Sequence, residues 1–246
     1  MTLRRFFLAP QQLAAPQICI TGDLYRHMVA VLRLTEGDQV ILADGRGREV
    51  VATIQEISRD SLRAELGTEL PATERGGIQI TLYQGLPKGD KVDLILQKAT
   101  ELGVDEIVLF AATRSVPRLD RDRRDNRLVR WQRIVTEAAR QSGRDSIPCI
   151  AFADTLGEAL QRQEHSVKLL LWEVERQQRL KALLQGEKPV SAAFVVGPEG
   201  GLTPEEADLA ASRGYQPVTL GRRILRTETA GLALLAILQY EWGDIG

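Results

Sequence analysis

Cysteine and histidine are nearly missing from this chain of 246 residues, which holds only Cys19 and Cys149, and His27 and His165. The two cysteines lie in separate apolar contexts with no Cys-x-x-Cys spacing, which leaves a disulfide framework or a zinc site without support; both read as buried thiols. Two histidines give imidazole-based metal chemistry almost no material, so no metal is expected. Long apolar runs are missing as well. Nothing approaches the roughly 20 residues that span a bilayer, and the stretch Met1-Thr-Leu-Arg-Arg-Phe-Phe7 lacks the apolar core and cleavage site of a signal peptide. A cytoplasmic protein with no membrane contact is expected. Three phosphate- and nucleophile-bearing signatures are also absent. There is no Gly-x-x-x-x-Gly-Lys-Ser/Thr loop, no Gly-x-Gly-x-x-Gly after a first strand, and no Gly-x-Ser-x-Gly elbow, which removes support for nucleotide hydrolysis, classical dinucleotide binding and serine esterase chemistry.

The material that is present is a hydrophobic content of 43%, ample for a packed core, and 32 basic residues against 33 acidic ones. The near-neutral balance hides a local asymmetry. Of the basic residues 26 are arginine, the side chain whose planar fork suits phosphates and base edges. Ten of these arginines fall between Arg114 and Arg144, against four acids. Taken singly, the arginines interleaved with Asp120, Asp122 and Asp125 read as a salt-bridged helix face; the segment as a whole reads as a polyanion-binding surface.

Along the chain the pattern changes once. Residues 1–70 hold short strands at Gln17–Ile20, Gln39–Ala43, Glu49–Ile54 and Ser61–Leu66, a spacing that suggests a small barrel. Asp44-Gly-Arg-Gly47 supplies a hairpin turn, and a helical piece from Gly22 to Leu32 carries Leu24, Met28, Val31 and Leu32 on one face. Residues 71–77 form a polar linker. From 78 to 246 strands and helices alternate, which implies an α/β domain with a mostly parallel sheet. Its expected strands are Ile78–Gln84, Glu106–Phe110, Val167–Trp172, Ala192–Val196 and Gln216–Leu220. Its expected helices are Asp90–Leu102, Asn126–Gln141 and, last, one from about Glu228 to Tyr240.

Three of these strand ends carry unusual loops. Val196-Gly-Pro-Glu-Gly-Gly-Leu202 joins a buried strand to a helix marked by Thr203, Pro204 and Glu206 as a capping box, and its glycines let backbone groups approach a ligand. Leu171-Trp-Glu-Val174 is the second loop. The third is Leu220-Gly-Arg-Arg-Ile-Leu-Arg-Thr-Glu-Thr-Ala230, in which Thr227 and Thr229 are the expected cap of a very apolar helix, Ala230–Leu238. If the strands are neighbours, the loops form one pocket.

The pairing of the 196–202 and 220–231 motifs, in that order near the C-terminus, resembles the SPOUT class of RNA methyltransferases. Arg4-Arg-Phe-Phe7, His27 with Val31-Leu-Arg33 and Gly37-Asp38, Lys98-Ala-Thr-Glu-Leu-Gly103, and Trp131 followed by Glu137-Ala-Ala-Arg-Gln-Ser-Gly-Arg144 are similar to the bacterial 16S ribosomal RNA uracil-N3 methyltransferases. The resemblance implies a PUA-like RNA-binding β-barrel, a SPOUT domain with a deep trefoil knot, S-adenosylmethionine as methyl donor, 16S ribosomal RNA of the small subunit as substrate, and a homodimer. It implies donor contacts from Leu171, Trp172, Val196, Gly197, Pro198, Gly200, Gly201, Leu220, Gly221, Ile224, Leu225 and Thr229, largely through backbone. Uracil N3 must lose a proton before or during attack, for which Arg226 is the expected electrostatic partner and Glu228 the expected base, with Glu199 as an alternative. Arg4, Arg5, Arg114, Arg140, Gln141 and Arg144 are the expected RNA contacts. A ribose 2′-O-methyltransferase of the same fold and a non-catalytic ribosome-binding factor are the competing readings.

Overall fold

The computed structural model describes residues 3–71, 77–115, 121–162, 164–172 and 180–246. The inner part of the expected 71–77 linker, the end of the Leu171–Val174 loop, and residues 116–120 of the arginine-rich segment lie outside them. The chain divides into two compact units, one of residues 1–74 with 139–147, the other of residues 75–138 with 148–246.

The N-terminal unit is a five-stranded mixed sheet. β1 (Arg4–Phe7), β2 (Gln17–Thr21), β3 (Gln39–Ala43), β4 (Glu49–Ile57) and β5 (Ser61–Glu69) pair in the order β1-β3-β4-β5-β2. β1 runs parallel to β3, and every other pair is antiparallel. The ladder runs from β1 to β2 without joining them, so among the described residues it is a half-barrel rather than a closed one. Alternation fixes its inner face: Ile18 and Ile20 of β2, Val40 and Leu42 of β3, Ala52 and Ile54 of β4, and Leu62 and Ala64 of β5 share one core with Phe6, Leu13 and Met28. Cys19, between Ile18 and Ile20, is forced to the opposite face and is exposed, contrary to the buried thiol expected for it. The helical piece is α1 (Gly22–Arg26) followed by a π turn at His27–Val31. The wider turn rotates Val31 out of the expected apolar face, leaving it 66% exposed while Met28 is fully buried. At the β3–β4 turn, Asp44 accepts from the amides of Arg46 and Arg48 at 2.7 and 3.1 Å. Gly45 and Gly47 there take positive φ.

The C-terminal unit is α/β around a six-stranded sheet. Its strands are β6 (Gln79–Gly85), β7 (Glu106–Phe110), β8 (Cys149–Ala153), β9 (Val167–Leu171), β10 (Ser191–Val196) and β11 (Gln216–Val218). They pair, all parallel, in the order β11-β9-β10-β6-β7-β8. The helices are α2 (Lys91–Glu101), α3 (Arg121–Ser142), α4 (Leu156–Ala159), α5 (Leu180–Leu183), α6 (Pro204–Ser212) and α7 (Thr227–Trp242). β7 is buried at all five positions and β6 at six of seven, as continuous apolar strands covered on both faces must be. Cys149 opens the edge strand β8 and is exposed, so the second expected buried thiol is also at the surface. α7 buries Gly231, Leu234, Leu235, Leu238 and Trp242 on one stripe and packs on α2, β6 and β10. Among the described residues no helix is long and apolar enough to cross a membrane.

Candidate active site

In an all-parallel sheet every carboxyl end points the same way, so neighbouring strands deliver their following loops to one edge. β9 and β10 are neighbours with Leu171 beside Val196, and β11 lies on the other side of β9 with Val218 beside Leu171. The three loops expected to share a pocket therefore begin side by side. β6 adds a fourth, since Val196 also pairs with Gln84.

The loop after β10 is shaped by packing within the protein. Pro198 and Gly201 close a turn through Gly201 N–H to Pro198 C=O at 2.9 Å, with Gly201 at φ 68°. A Cβ at Gly197 would lie 3.1 Å from the Gly201 carbonyl carbon and the Leu202 amide, and one at Gly200 would lie 3.0 Å from Arg114 Cβ. These glycines thus serve the fit of the loop against its own neighbours. Gly85, at the end of β6, belongs to the same arrangement and was missed: its Cβ would fall 2.6 Å from Pro198 Cδ and 2.8 Å from Pro198 N. The only sequence signal was a glycine at a strand end.

Two sets of bonds buttress this loop. On one side Arg114 donates through Nη1 to the carbonyls of Gly200 (3.0 Å) and Leu202 (3.4 Å). Glu206 accepts from the Thr113 amide at 2.9 Å while completing the expected capping box with Thr203. Arg114 is thereby partly committed to shaping the loop. On the other side Thr227 donates to Gly197 C=O at 2.6 Å and accepts from the buried Gln84 Nε2 at 2.9 Å. Thr227 is the first residue of α7 and Arg226 its N-cap, with no side-chain cap, so the expected capping by Thr227 and Thr229 is not what forms. The Thr227 hydroxyl is instead spent on the glycine loop, and Thr229 is exposed on the helix.

The third loop carries the groups left unspent. Gly221 takes φ 125°, a conformation that favours glycine, with open space where a Cβ would be. Ile224 is 84% exposed, and the backbone amides of residues 222–226 are not taken up by other parts of the chain among the described residues. Arg226 is exposed and makes no side-chain hydrogen bond or ion pair among them. Open amides, an apolar Ile224–Leu225 step and an unfilled glycine position fit a nucleoside with a charged tail. Leu220 and Leu225 are half-buried beside them, whereas Trp172 packs its ring on the core that includes Leu170 and Leu202.

The two candidate carboxylates differ in what they have left to offer. Glu199 receives the Lys88 amide at 3.2 and 3.3 Å on its two oxygens and Lys91 Nζ at 2.9 Å. Partial burial pushes its carboxyl up, but Lys91, its own amide and that of Lys88 outweigh burial and hold it below the usual carboxylate range. Glu228, 13% exposed, has Lys91 Nζ 3.4 Å from Oε2 and no hydrogen bond at that oxygen. Lys91 was not singled out in the sequence, because nothing local marks it.

Of the expected RNA contacts, Arg4, Arg5, Arg140, Gln141 and Arg144 fall in the N-terminal unit and Arg114 in the C-terminal one. Arg4 donates to Leu32 C=O at 3.0 Å and remains exposed. Arg5 is held in a two-pronged ion pair with the buried Glu49, through Nε and, at 3.1 Å, through Nη2, which leaves little of its fork for a ligand. The segment after α3 is tied to the β3–β4 turn by Ile147 N–H to Gly45 C=O at 3.0 Å, and a Cβ at Gly143 would lie 3.3 Å from Arg5 Nη1.

Two family models match the chain. An RNA methyltransferase domain matches residues 74–239, and an RNA methyltransferase PUA domain matches residues 20–67. The chain is 35% identical to the ribosomal RNA small subunit methyltransferase E of Bacillus subtilis over 97% of both proteins. It is 34% identical to that of Synechocystis over 94% of this chain and 76% of the relative. A solved structure of ribosomal RNA small subunit methyltransferase E from Neisseria gonorrhoeae bound to S-adenosyl methionine is 36% identical, superposes with a TM-score of 0.88 and is matched over 99% of both chains. A Legionella pneumophila structure in complex with its bound cofactor SAM is 26% identical with a TM-score of 0.89 over all of both chains. With a half-barrel at its N-terminus and a parallel sheet whose loops converge at one edge, the chain belongs to the ribosomal RNA small subunit methyltransferase E family of RNA methyltransferases.

Proposed function

We propose that this protein methylates N3 of a uridine in the 16S ribosomal RNA of the small subunit, with S-adenosylmethionine as donor. The observation that carries the reading is the convergence of the loops after β9, β10 and β11 beside Arg226, whose guanidinium makes no side-chain bond among the described residues, and Glu228, whose Oε2 lacks a hydrogen bond. When bound, S-adenosylmethionine supplies an electrophilic methyl group. The chain's own tasks are to position the base and manage charge. Val196, Gly197, Pro198, Gly200 and Gly201 form one wall, and Leu220, Gly221, Ile224 and Leu225 the other, with Leu171 between them. Neutral uracil holds a proton on N3, and its removal leaves an imide anion spread over O2 and O4. Glu228 accepts that proton, and Arg226 faces the anion. Glu199, already bonded on both oxygens, is the poorer acceptor.

The connection from β11 to α7 supports a SPOUT domain with a trefoil knot. β11 lies beyond β9, yet α7 packs on β10 and β6, so residues 219–226 must return across the carboxyl ends of β9 and β10. α7 also keeps Tyr240 67% exposed and is our candidate for the contact between two subunits of a homodimer. RNA is held by Arg4, Arg140, Gln141 and Arg144, with Arg5 contributing less than its sequence position suggests. Such phosphate contacts give an affinity that falls with salt.

Glu228→Gln tests the chemistry. Methyl transfer to small subunits is expected to fall at least about a hundredfold, in line with the loss of a general base, with S-adenosylmethionine affinity by calorimetry unchanged. Wild-type turnover in this variant would remove Glu228 as the proton acceptor.

A further inference from the structure

Lys91 ties the glycine loop to the first turn of α7. It is the first residue of α2, and its Nζ lies 2.9 Å from Glu199 Oε1 in the glycine loop and 3.4 Å from Glu228 Oε2 in the first turn of α7. Three elements far apart in sequence thus meet at one nitrogen. The pairings are unequal. Glu199 is additionally fixed by the Lys88 amide, so Lys91 and Glu199 form a rigid anchor. Glu228 has only the longer ionic contact at Oε2, where no hydrogen bond satisfies it. A carboxylate with 13% of its side chain exposed needs a compensating charge, and Lys91 supplies it. The ammonium side chain is itself about one-third exposed at 32%, and a pair of that kind adds little to folding. Its consequence lies in where the carboxylate points, because a displacement of about 1 Å at a reacting group costs on the order of a hundredfold in rate.

We propose that Lys91 is a positioning residue for methyl transfer, anchored by Glu199 and aiming the Glu228 carboxylate at the substrate. The inference rests on the reading of Glu228 as proton acceptor. It goes beyond it by assigning to Lys91 a role in turnover rather than in donor binding or folding.

The experiment compares wild type, Lys91→Met and Lys91→Arg as full-length protein, measuring kcat and KM on small subunits, S-adenosylmethionine affinity by calorimetry and thermal melting. Lys91→Met is expected to lower kcat by roughly ten- to a hundredfold. Its S-adenosylmethionine affinity should stay within about threefold and its melting temperature within about 3 °C, as expected for a weak partly exposed pair. Lys91→Arg, which keeps the charge, should recover a clear part of the lost kcat. Wild-type kcat in Lys91→Met would overturn the proposal. So would a loss explained wholly by weaker donor binding or a lower melting temperature, or one that Lys91→Arg does not relieve. An inactive Glu228→Gln beside a fully active Lys91→Met would sink the role of Lys91 alone, whereas an active Glu228→Gln would sink the reading beneath it.

Discussion

Glycine serves different ends at different positions of this fold. In sequence, nothing separates the glycine of a strand end, Gly85, from the glycine of an apolar helix, Gly231. In space they differ. A methyl group at Gly231 would meet Val196 Cγ2 at 3.5 Å and Gln84 Oε1 at 3.6 Å, ordinary contacts, while one at Gly85 would collide with the Pro198 ring and backbone. Gly85→Ala should therefore destabilise by about 1–3 kcal/mol through overpacking and displace the glycine loop, whereas Gly231→Ala should be nearly neutral or slightly stabilising within a helix. Chemical denaturation of the two variants checks both signs. The cysteines teach the opposite lesson. Apolar neighbours in sequence made Cys19 look buried, but strand alternation places it on the face opposite Ile18 and Ile20.

At the scale of elements, the strands with strong periodicity or continuous apolar runs were legible: β3, β4, β6, β7, β9 and β10 fall where the pattern puts them, with ends shifted by a few residues at most. Two strands were not. β1, Arg-Arg-Phe-Phe, has no alternation and exists through parallel pairing with β3, a partner that sequence does not name. β8, Cys-Ile-Ala-Phe-Ala, is a short edge strand diluted with alanine. The cap of α7 differs from expectation for a related reason, because Thr227 resembles a cap yet bonds across to Gly197. That hydroxyl both donates to Gly197 C=O and accepts from Gln84 Nε2, so Thr227→Val should cost roughly 1–3 kcal/mol by leaving buried polar groups unpaired. Denaturant titration measures it. Thr227→Ser should keep most of the stability, and equal stability of the valine and wild-type proteins would contradict the tie.

At the scale of the molecule, the change from short strands to alternating strands and helices was readable from contiguous motifs, whereas the return of residues 139–147 to the N-terminal unit was not. The Glu199–Lys91–Glu228 meeting was not, since each residue sits in an unremarkable local context and only the parallel sheet brings them together. The charge state of this meeting leads to a pH dependence. Glu199 is held below its ordinary value of 4.5, so its contribution is complete above that pH and is lost as pH falls through the lower folded value. Lys91 is held above its ordinary 10.5, chiefly by its hydrogen bond to Glu199, so its contribution is complete below that pH and is lost as pH rises. The melting-temperature difference between wild type and Glu199→Gln should thus be flat through neutral pH and shrink at both extremes. A difference that grows on acidification would contradict the sign. Separately, burial and then Glu106 push the Tyr83 phenol up to about 12, so its neutral form supports the fold fully below pH 10 and that support disappears as pH rises toward 12.

The central claim is that the loops after β9, β10 and β11 direct a methyl group to a uracil nitrogen of small-subunit RNA. Its most direct test is transfer of labelled methyl from S-adenosylmethionine to unmodified small subunits, with naked ribosomal RNA in parallel, followed by digestion and mass spectrometry of the labelled nucleoside. The account predicts 3-methyluridine as the labelled product, with the assembled subunit preferred. A 2′-O-methylated nucleoside, or no transfer by a protein that binds small subunits, would contradict it.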